Sequence, residues 1–318
     1  FQTAQAALAA HLLTTTHHER STPDELVGPL LMHWDRRAAP ELRDLAGQQF
    51  AYFAAELPHG NPYPNDVPDD RFVDAKRRYL LGFGADAYYS TLLASGNQAG
   101  AMRFTAGGDY VTNAKTVDGA FTIGGWRDVE DNLRNLDAMF ERYRWLYGEA
   151  TPANKPDPAE LSRRYYADYA RAWKDYLRSG ALVAFGNPEN AARRLEGLGA
   201  PTSPLFRMLR IASEQTNISN EMVQKSFEPV RALVAPDADD RNVTGLVRPY
   251  ADALYQLSTQ IRGLGVAGQA PDPAIGMTIS QVRSSASTLA NGFSTENEAA
   301  ESAEVLRRLL LQPAEMAE

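Results

Sequence analysis

Val117-Asp-Gly-Ala-Phe-Thr-Ile-Gly-Gly-Trp126 stands between a stretch with no helical period and the most regular apolar pattern in the chain. Glycines at 119, 124 and 125 surround Phe121, and Trp126 closes the segment. Three readings compete for it: a phosphate-gripping loop, an active-site elbow, or a packing joint between two helical bodies. A phosphate loop needs an apolar strand before it and Gly-Lys-Ser or Gly-Lys-Thr behind it, and neither is present. No Gly-x-Ser-x-Gly lies in a strand-to-helix context, which removes the elbow. The joint remains, with Gly119, Gly124 and Gly125 allowing tight turns and Phe121 and Trp126 anchoring them. Its consequence is that both rings should be buried between the two bodies.

Downstream, Trp126, Val129, Leu133, Leu136, Phe140, Tyr143 and Tyr147 alternate spacings of three and four, which predicts one continuous helical seam ending at Gly148. A Pro-rich linker, 151–158, separates it from the next helix. There Asp157, Pro158 and Glu160 supply an N-cap, an N1 proline and an N3 acid. The inner face of that helix is aromatic: Leu161, Tyr165, Tyr169, Trp173 and Tyr176. Such a face can stack sugars or ligand rings, but large residues at helical spacing favour a core. Ser203-Pro204 caps a further helix through Leu205, Met208, Leu209 and Ala212. Val247, Tyr250, Leu254, Leu257, Ile261 and Leu264 form another seam. Ile279, Val282, Ala286, Leu289 and Phe293 mark the penultimate helix. Thr295 with Glu298 reads as a capping box for a last helix that carries Val305, Leu306, Leu309 and Leu310 and that Pro313 ends.

Upstream, the first hundred residues read as four or five helices. Leu42, Ala46, Phe50, Phe53 and Leu57 make one stripe, and Asp69-Asp70 opens a helix carrying Phe72, Ala75, Tyr79 and Leu80 inward. Another helix runs from Asp86 through Tyr88, Tyr89, Leu92 and Leu93. From Gly96 to Gly125 the period is lost. Met102–Thr105 and Tyr110–Thr112 flank Gly107-Gly108, a pattern that predicts a small hairpin. The resulting fold class is all-α: an elongated multi-helical array of two helical subdomains, 1–98 and 126–318, with an irregular joint over 99–125.

Composition narrows the function classes. The 318 residues are 44% hydrophobic and 23% charged, as in globular domains, and no run of about 18 apolar residues can span a bilayer. A net charge of -8 with scattered bases argues against a nucleic-acid surface. No cysteine is present, so disulfides, thiolate metal sites and cysteine nucleophiles are excluded. The start, Phe-Gln-Thr-Ala-Gln, has neither Met nor the features of a signal peptide and reads as a cut within a longer protein. His17, His18 and Glu19, with His11 nearby, lack the convergent spacing a metal needs, and a solvated helix end explains them. Acid pairs such as Asp69-Asp70 and Asp239-Asp240 read as caps and solvated faces. Asn217-Ile-Ser and Asn242-Val-Thr match a glycosylation pattern that arises often by chance. No catalytic, cofactor or metal residues are assigned.

Several pieces in order carry a resemblance: Leu30-Leu-Met-His-Trp34, Phe72-Val-Asp-Ala-Lys-Arg-Arg-Tyr-Leu80, Ala87-Tyr-Tyr-Ser-Thr-Leu92, and the glycine-rich joint. Tyr166-Ala-Asp-Tyr-Ala-Arg-Ala-Trp173, Ser203-Pro-Leu-Phe-Arg-Met-Leu209 and Phe227-Glu-Pro-Val-Arg231 continue it. Their succession resembles the IcmF/TssM family of type VI secretion, specifically the periplasmic region after the last transmembrane helix. The resemblance implies a structural segment of an inner-membrane protein that joins a TssL-like inner-membrane partner to a TssJ-like outer-membrane lipoprotein and contacts copies of itself. It places the family's transmembrane helices, nucleotide-binding-like domain and β-rich C-terminal domain outside these residues, so this segment itself is expected to make no membrane contact. The competing class is a periplasmic helical hydrolase or sugar-binding domain using Tyr165, Tyr169 and Trp173.

Overall fold

A computed structural model describes residues 2–34, 40–62, 69–82, 84–148, 157–200, 202–235, 245–264, 274–291 and 297–318. Helices dominate these residues, and the strands among them form two small antiparallel two-stranded sheets. The chain folds as two compact units that are discontinuous in sequence. One comprises Phe1–Gln98 with Arg127–Ser162, the other Ala99–Trp126 with Arg163–Glu318. Beside the linear division into 1–98, 99–125 and 126–318, this groups the seam with the N-terminal helices.

In the first unit, α1 (Gln2–Leu13), α2 (Pro23–Trp34), α3 (Arg43–Glu56), α4 (Asp70–Leu81) and α5 (Ala85–Gly96) precede the seam. Asp69 caps α4 by accepting from the Arg71 N–H at 2.9 Å, as its carboxylate predicts. The inward face of α4 differs from the expected one. Val73 and Leu80 are buried, whereas Phe72 and Tyr79 are 48% and 57% exposed. The reason is Arg77, which lies on the inward face: its guanidinium donates to the carbonyls of Trp145 and Leu146, each at 3.0 Å. A charged residue thus occupies a position that an apolar pattern cannot reveal.

The seam is three helices rather than one: α6 (Ile123–Arg134), α7 (Leu136–Arg142) and α8 (Arg144–Tyr147). Asn135 interrupts it because its side chain accepts from the Ala138 N–H at 3.1 Å and so starts a new helix. Gly148 ends α8 as expected, but with φ +76° and ψ -160° it takes an extended, glycine-favouring conformation and not the left-handed helical cap. Val129, Leu133, Leu136, Leu146 and Tyr147 are buried. Phe140's side chain lies outside the described residues. Leu146 and Tyr147 join Leu8, Leu12, Val73 and Leu80 in one apolar cluster, while Leu13, Leu26, Ala54 and Leu57 form a second. That shared core explains why 127–162 belongs with the N-terminal helices.

In the second unit the expected hairpin does not form. β1 (Met102–Arg103) pairs with β3 (Thr116–Val117), and β2 (Val111–Asn113) pairs with β4 (Gly180–Leu182). Gly107 still makes a tight turn, since its carbonyl accepts from the N–H groups of Tyr110 and Val111. A Cβ at 107 would overlap the Val111 carbonyl. Each flanking strand nevertheless finds a more distant partner, with Val111 and Leu182 buried across β2 and β4.

After α9 (Pro158–Ser179) and β4 come α10 (Pro188–Gly199), α11 (Pro204–Gln215), α12 (Glu221–Ser226) and α13 (Glu228–Leu233), then α14 (Arg248–Leu264), α15 (Ala274–Asn291) and α16 (Asn297–Glu315). The predicted caps hold: Ala159 N–H donates to Asp157 at 2.9 Å, and Phe206 N–H to Ser203 at 3.2 Å. The buried faces of α14 and α16 are the predicted ones, from Val247 through Ile261 and from Val305 through Leu310. Pro313 does not end α16, which runs to Glu315. α16 also covers the outer edge of β4, with Gln312 accepting from Leu182 N–H at 2.9 Å and Arg308 donating to Gly180 O at 3.1 Å. Phe293, the Thr295–Glu298 capping box, Asp239-Asp240 and Asn242-Val-Thr lie outside the described residues or side chains.

Candidate functional site

Gly119–Phe121 is a single 3-10 turn, and helix α6 begins at Ile123, so Gly124 and Gly125 form its first turn instead of preceding it. Thr122 is the reason. Its hydroxyl donates to Gly119 O at 2.7 Å and accepts from Gly125 N–H at 3.3 Å, while its carbonyl receives the Trp126 N–H at 2.7 Å. None of the three glycines has positive φ. Their smallness is used for closeness: Gly119 and Gly125 are buried, and a Cβ on Gly124 would stand 3.1 Å from the Ala99 Cβ.

The aromatic face of α9 receives this turn. Tyr165 O–H donates to Ala120 O at 2.7 Å, and Trp173 Nε1 donates to Phe121 O, also at 2.7 Å. These donors stand two helical turns apart on one face of α9. Between them Tyr169 donates to Gln215 O at 2.6 Å, and Gln215 in turn accepts from Ile123 N–H at 2.9 Å. The Phe121 ring is stacked on Tyr165 at 6.0 Å and edge-on to Tyr169 at 6.2 Å. Trp126 donates from Nε1 to Tyr166 O–H at 3.2 Å. Phe121 and Trp126 are both half-buried. All of these contacts lie within the second unit.

Tyr165, Tyr169, Trp173 and Tyr176 are each 0% exposed. Burial raises the phenols of Tyr169 and Tyr176 well above the ordinary tyrosine range, with hydrogen bonding from Trp173 opposing the shift at Tyr169. These rings form no open face for a sugar. The Tyr165 hydroxyl and the Trp173 indole N–H meet the carbonyls of Ala120 and Phe121 in the irregular segment.

Gln215 and Tyr166 were not legible as parts of this arrangement. Gln215 ends α11 with no periodic or motif signal, and what marks it is its distance from Ile123 alone. The histidines are not brought together. His18 Nδ1 lies 3.1 Å from Leu57 O, whereas His17 meets Glu19 at 3.5 Å and sets its ring edge-on to Trp145. Among the described residues no group of three or more His, Asp or Glu could hold a metal ion.

Comparison with known proteins gives three findings. The model of the IcmF-related family, described as intracellular multiplication and human macrophage-killing, matches residues 2–217. The type VI secretion system component TssM1 of Pseudomonas aeruginosa is 29% identical over 182 residues, covering 55% of this chain and 14% of that protein. A chain titled type VI secretion system membrane core complex superposes with a TM-score of 0.51 at 20% identity, covering 72% of this chain and 48% of that one. The chain therefore spans about 14% of the curated relative's length, and the structural likeness shows the fold. With the family model matching well over half of its residues, the chain belongs to the IcmF-related family.

Proposed function

We propose that this chain is a structural scaffold segment of a type VI secretion membrane complex, the periplasmic helical part of a TssM-like inner-membrane protein. It acts without catalysis. Gly119, Phe121, Gly124, Gly125 and Trp126 serve as the joint at which the chain leaves one compact unit for the other, since Trp126 and Arg127 fall on either side of that division. The observation that carries the reading is the closure of the α9 aromatic face: Tyr165 and Trp173 spend their donors on the backbone of Ala120 and Phe121. Side chains used to hold an irregular segment in place are not available to bind sugar or to turn over a substrate. The family match and the resemblance to TssM1 agree with a scaffold.

The partners this reading assigns are a TssJ-like lipoprotein, a TssL-like inner-membrane protein and further copies of the chain. The test is co-purification of the chain, with and without the family's β-rich C-terminal domain, against the lipoprotein and against a differently tagged copy of itself. Capture that requires the added domain gives this segment a spanning role, and capture by the segment alone gives it a recognition role. Absence of capture in both forms, with the chain folded, sinks the scaffold reading.

A further inference from the structure

The first unit holds a cleft that the scaffold reading leaves unused. Its inner hollow of about 410 Å³ has Tyr143 and Trp145 as aromatic walls, with Ser95 and Asn132 beside them. An outer hollow of about 580 Å³ shares Glu25, Ser95, Asn132 and Tyr143 with the first and continues to Asp128 and Asp131. Both volumes fall in the range of sites that hold small ligands or side chains. Asn132 is only 5% exposed and is held rigidly, donating to Ser95 Oγ at 3.0 Å and to Asp128 O at 2.8 Å. The cleft is thus a shaped concavity with a fixed polar wall and two aromatic side chains.

The charged lining of the cleft is mainly acidic, with Asp24, Glu25, Asp128 and Asp131 against Arg20. Some acids of the surface are matched one helical turn away, as in Glu130 with Arg134 at 3.3 Å and Asp168 with Arg171 at 2.7 Å, and Asp131 on the rim of the cleft is matched in this way by Arg134 at 3.7 Å. Among the described residues Asp24, Glu25 and Asp128 form no such ion pair, although Arg20 lines the same cleft. Burial raises the Glu25 carboxyl above its ordinary range, Arg20 opposes that shift, and Asp24 adds to it. Glu25 lines both hollows while still exposed to solvent, so its carboxylate is placed to meet an added cation at the mouth of the cleft.

We propose that this cleft receives a lysine or arginine side chain carried on a basic segment of a protein partner. The cation would lie against Tyr143 or Trp145, where an aromatic face attracts it, and be matched by Glu25. The outer hollow, rimmed by Asp128 and Asp131, extends beyond what one such side chain fills, so the residues next to it run along the acidic rim. That extension is why a peptide segment, not an isolated small cation, is the occupant. The inference rests on the cleft alone and can stand or fall independently of the secretion-complex reading.

The test is fluorescence anisotropy with the whole chain and a labelled, N-acetylated Ala-Lys-Arg-Ala peptide. An Ala-Gln-Gln-Ala peptide is the neutral probe and spermidine the competitor. The variants are Glu25→Gln with Asp128→Asn, and Asp252→Asn on the exposed side of α14 as a distant control. The expected result is saturable binding of the basic peptide, weakened about tenfold or more in the double variant and unchanged in the control, with no binding of the neutral peptide. A melting curve for the double variant that matches the parent shows that any loss of binding is not a loss of fold. The proposal is overturned by affinities within about twofold in the double variant, by equal binding of the neutral peptide, or by no binding up to about 1 mM. Spermidine binding as tightly as the peptide would make this a small-cation site and overturn the docking of a partner segment.

Discussion

The indole Nε1 of Trp173 donates to the carbonyl oxygen of Phe121 at 2.7 Å, tying the middle of α9 to a 3-10 turn 52 residues earlier in the chain. Trp173→Phe keeps a ring in the core but leaves that carbonyl without this donor. The expected loss is about 1–3 kcal/mol from the unpaired group, with a further packing loss from the smaller ring. Urea unfolding monitored by far-UV circular dichroism checks it, and an unchanged midpoint would mean that the turn is not held through this bond.

Leu136, 4% exposed at the first position of α7, carries the seam's core contact directly after the break at Asn135. Leu136→Ala is expected to destabilise by about 2–5 kcal/mol, combining lost transfer energy with the cavity left behind. Thermal melting reads this directly, and no shift would place the seam against solvent.

Tyr147 sits in a buried network whose proton order can be derived. Thr91 donates its hydroxyl proton to Ala87 O at 2.8 Å, so at 3.1 Å from Tyr147 it accepts, and the Tyr147 oxygen takes the Gln5 amide at 2.9 Å. Burial pushes the Tyr147 phenol from 10.0 up to about 12, with the hydrogen bond it accepts from the Gln5 amide opposing. A raised phenol favours the folded state below its unfolded value and loses that contribution as pH rises toward the folded one. Between pH 10.0 and about 12, stability should therefore fall by about 1.4 kcal/mol per pH unit for this group. Tyr169, Tyr176 and Tyr250 are raised by burial in the same direction and add to the effect. In Tyr147→Phe the alkaline slope should be shallower, as denaturant titrations at pH 9 to 11 would reveal, while stability at neutral pH should drop by about 1–3 kcal/mol because Gln5 loses its acceptor.

Two glycine-to-alanine changes should act in opposite senses. Gly107→Ala places a Cβ into the Val111 carbonyl and should cost about 1–3 kcal/mol or more through displacement of the turn that feeds β2. Gly28→Ala, inside α2 with nothing within 4 Å of its added carbon, should stabilise by about 0.4–1 kcal/mol. Paired unfolding curves decide both, and a stabilised Gly107→Ala would contradict the turn geometry.

The glycine-rich stretch over 117–126 was legible as a segment, but its local geometry was not. The sequence pattern located an irregular glycine-rich stretch before a regular helix, and the stretch is there. None of its three glycines has positive φ, and Gly124 and Gly125 belong to the helix they were expected to precede. The aromatic face of α9 was expected to be core, and it is. That its hydroxyl and indole groups hold the 3-10 turn at 119–121 could not be read, because Tyr165 to Ala120 and Trp173 to Phe121 are contacts 45 and 52 residues apart, and side-chain periodicity carries no record of them.

By itself the sequence determined what acts over one or two helical turns: the all-helical class, the caps at Asp69, Asp157 and Ser203, the stop at Gly148, and the buried faces of α9, α14 and α16. These follow from spacing and from local hydrogen bonds that neighbouring residues complete among themselves. Only the tertiary structure decided that β1 pairs with β3 and β2 with β4, that Phe72 and Tyr79 face outward while Arg77 faces inward, and that the seam is grouped with the N-terminal helices. In each case several partners would satisfy the same local pattern. The choice among them depends on which distant surface buries the most apolar area while leaving no carbonyl or N–H unpaired.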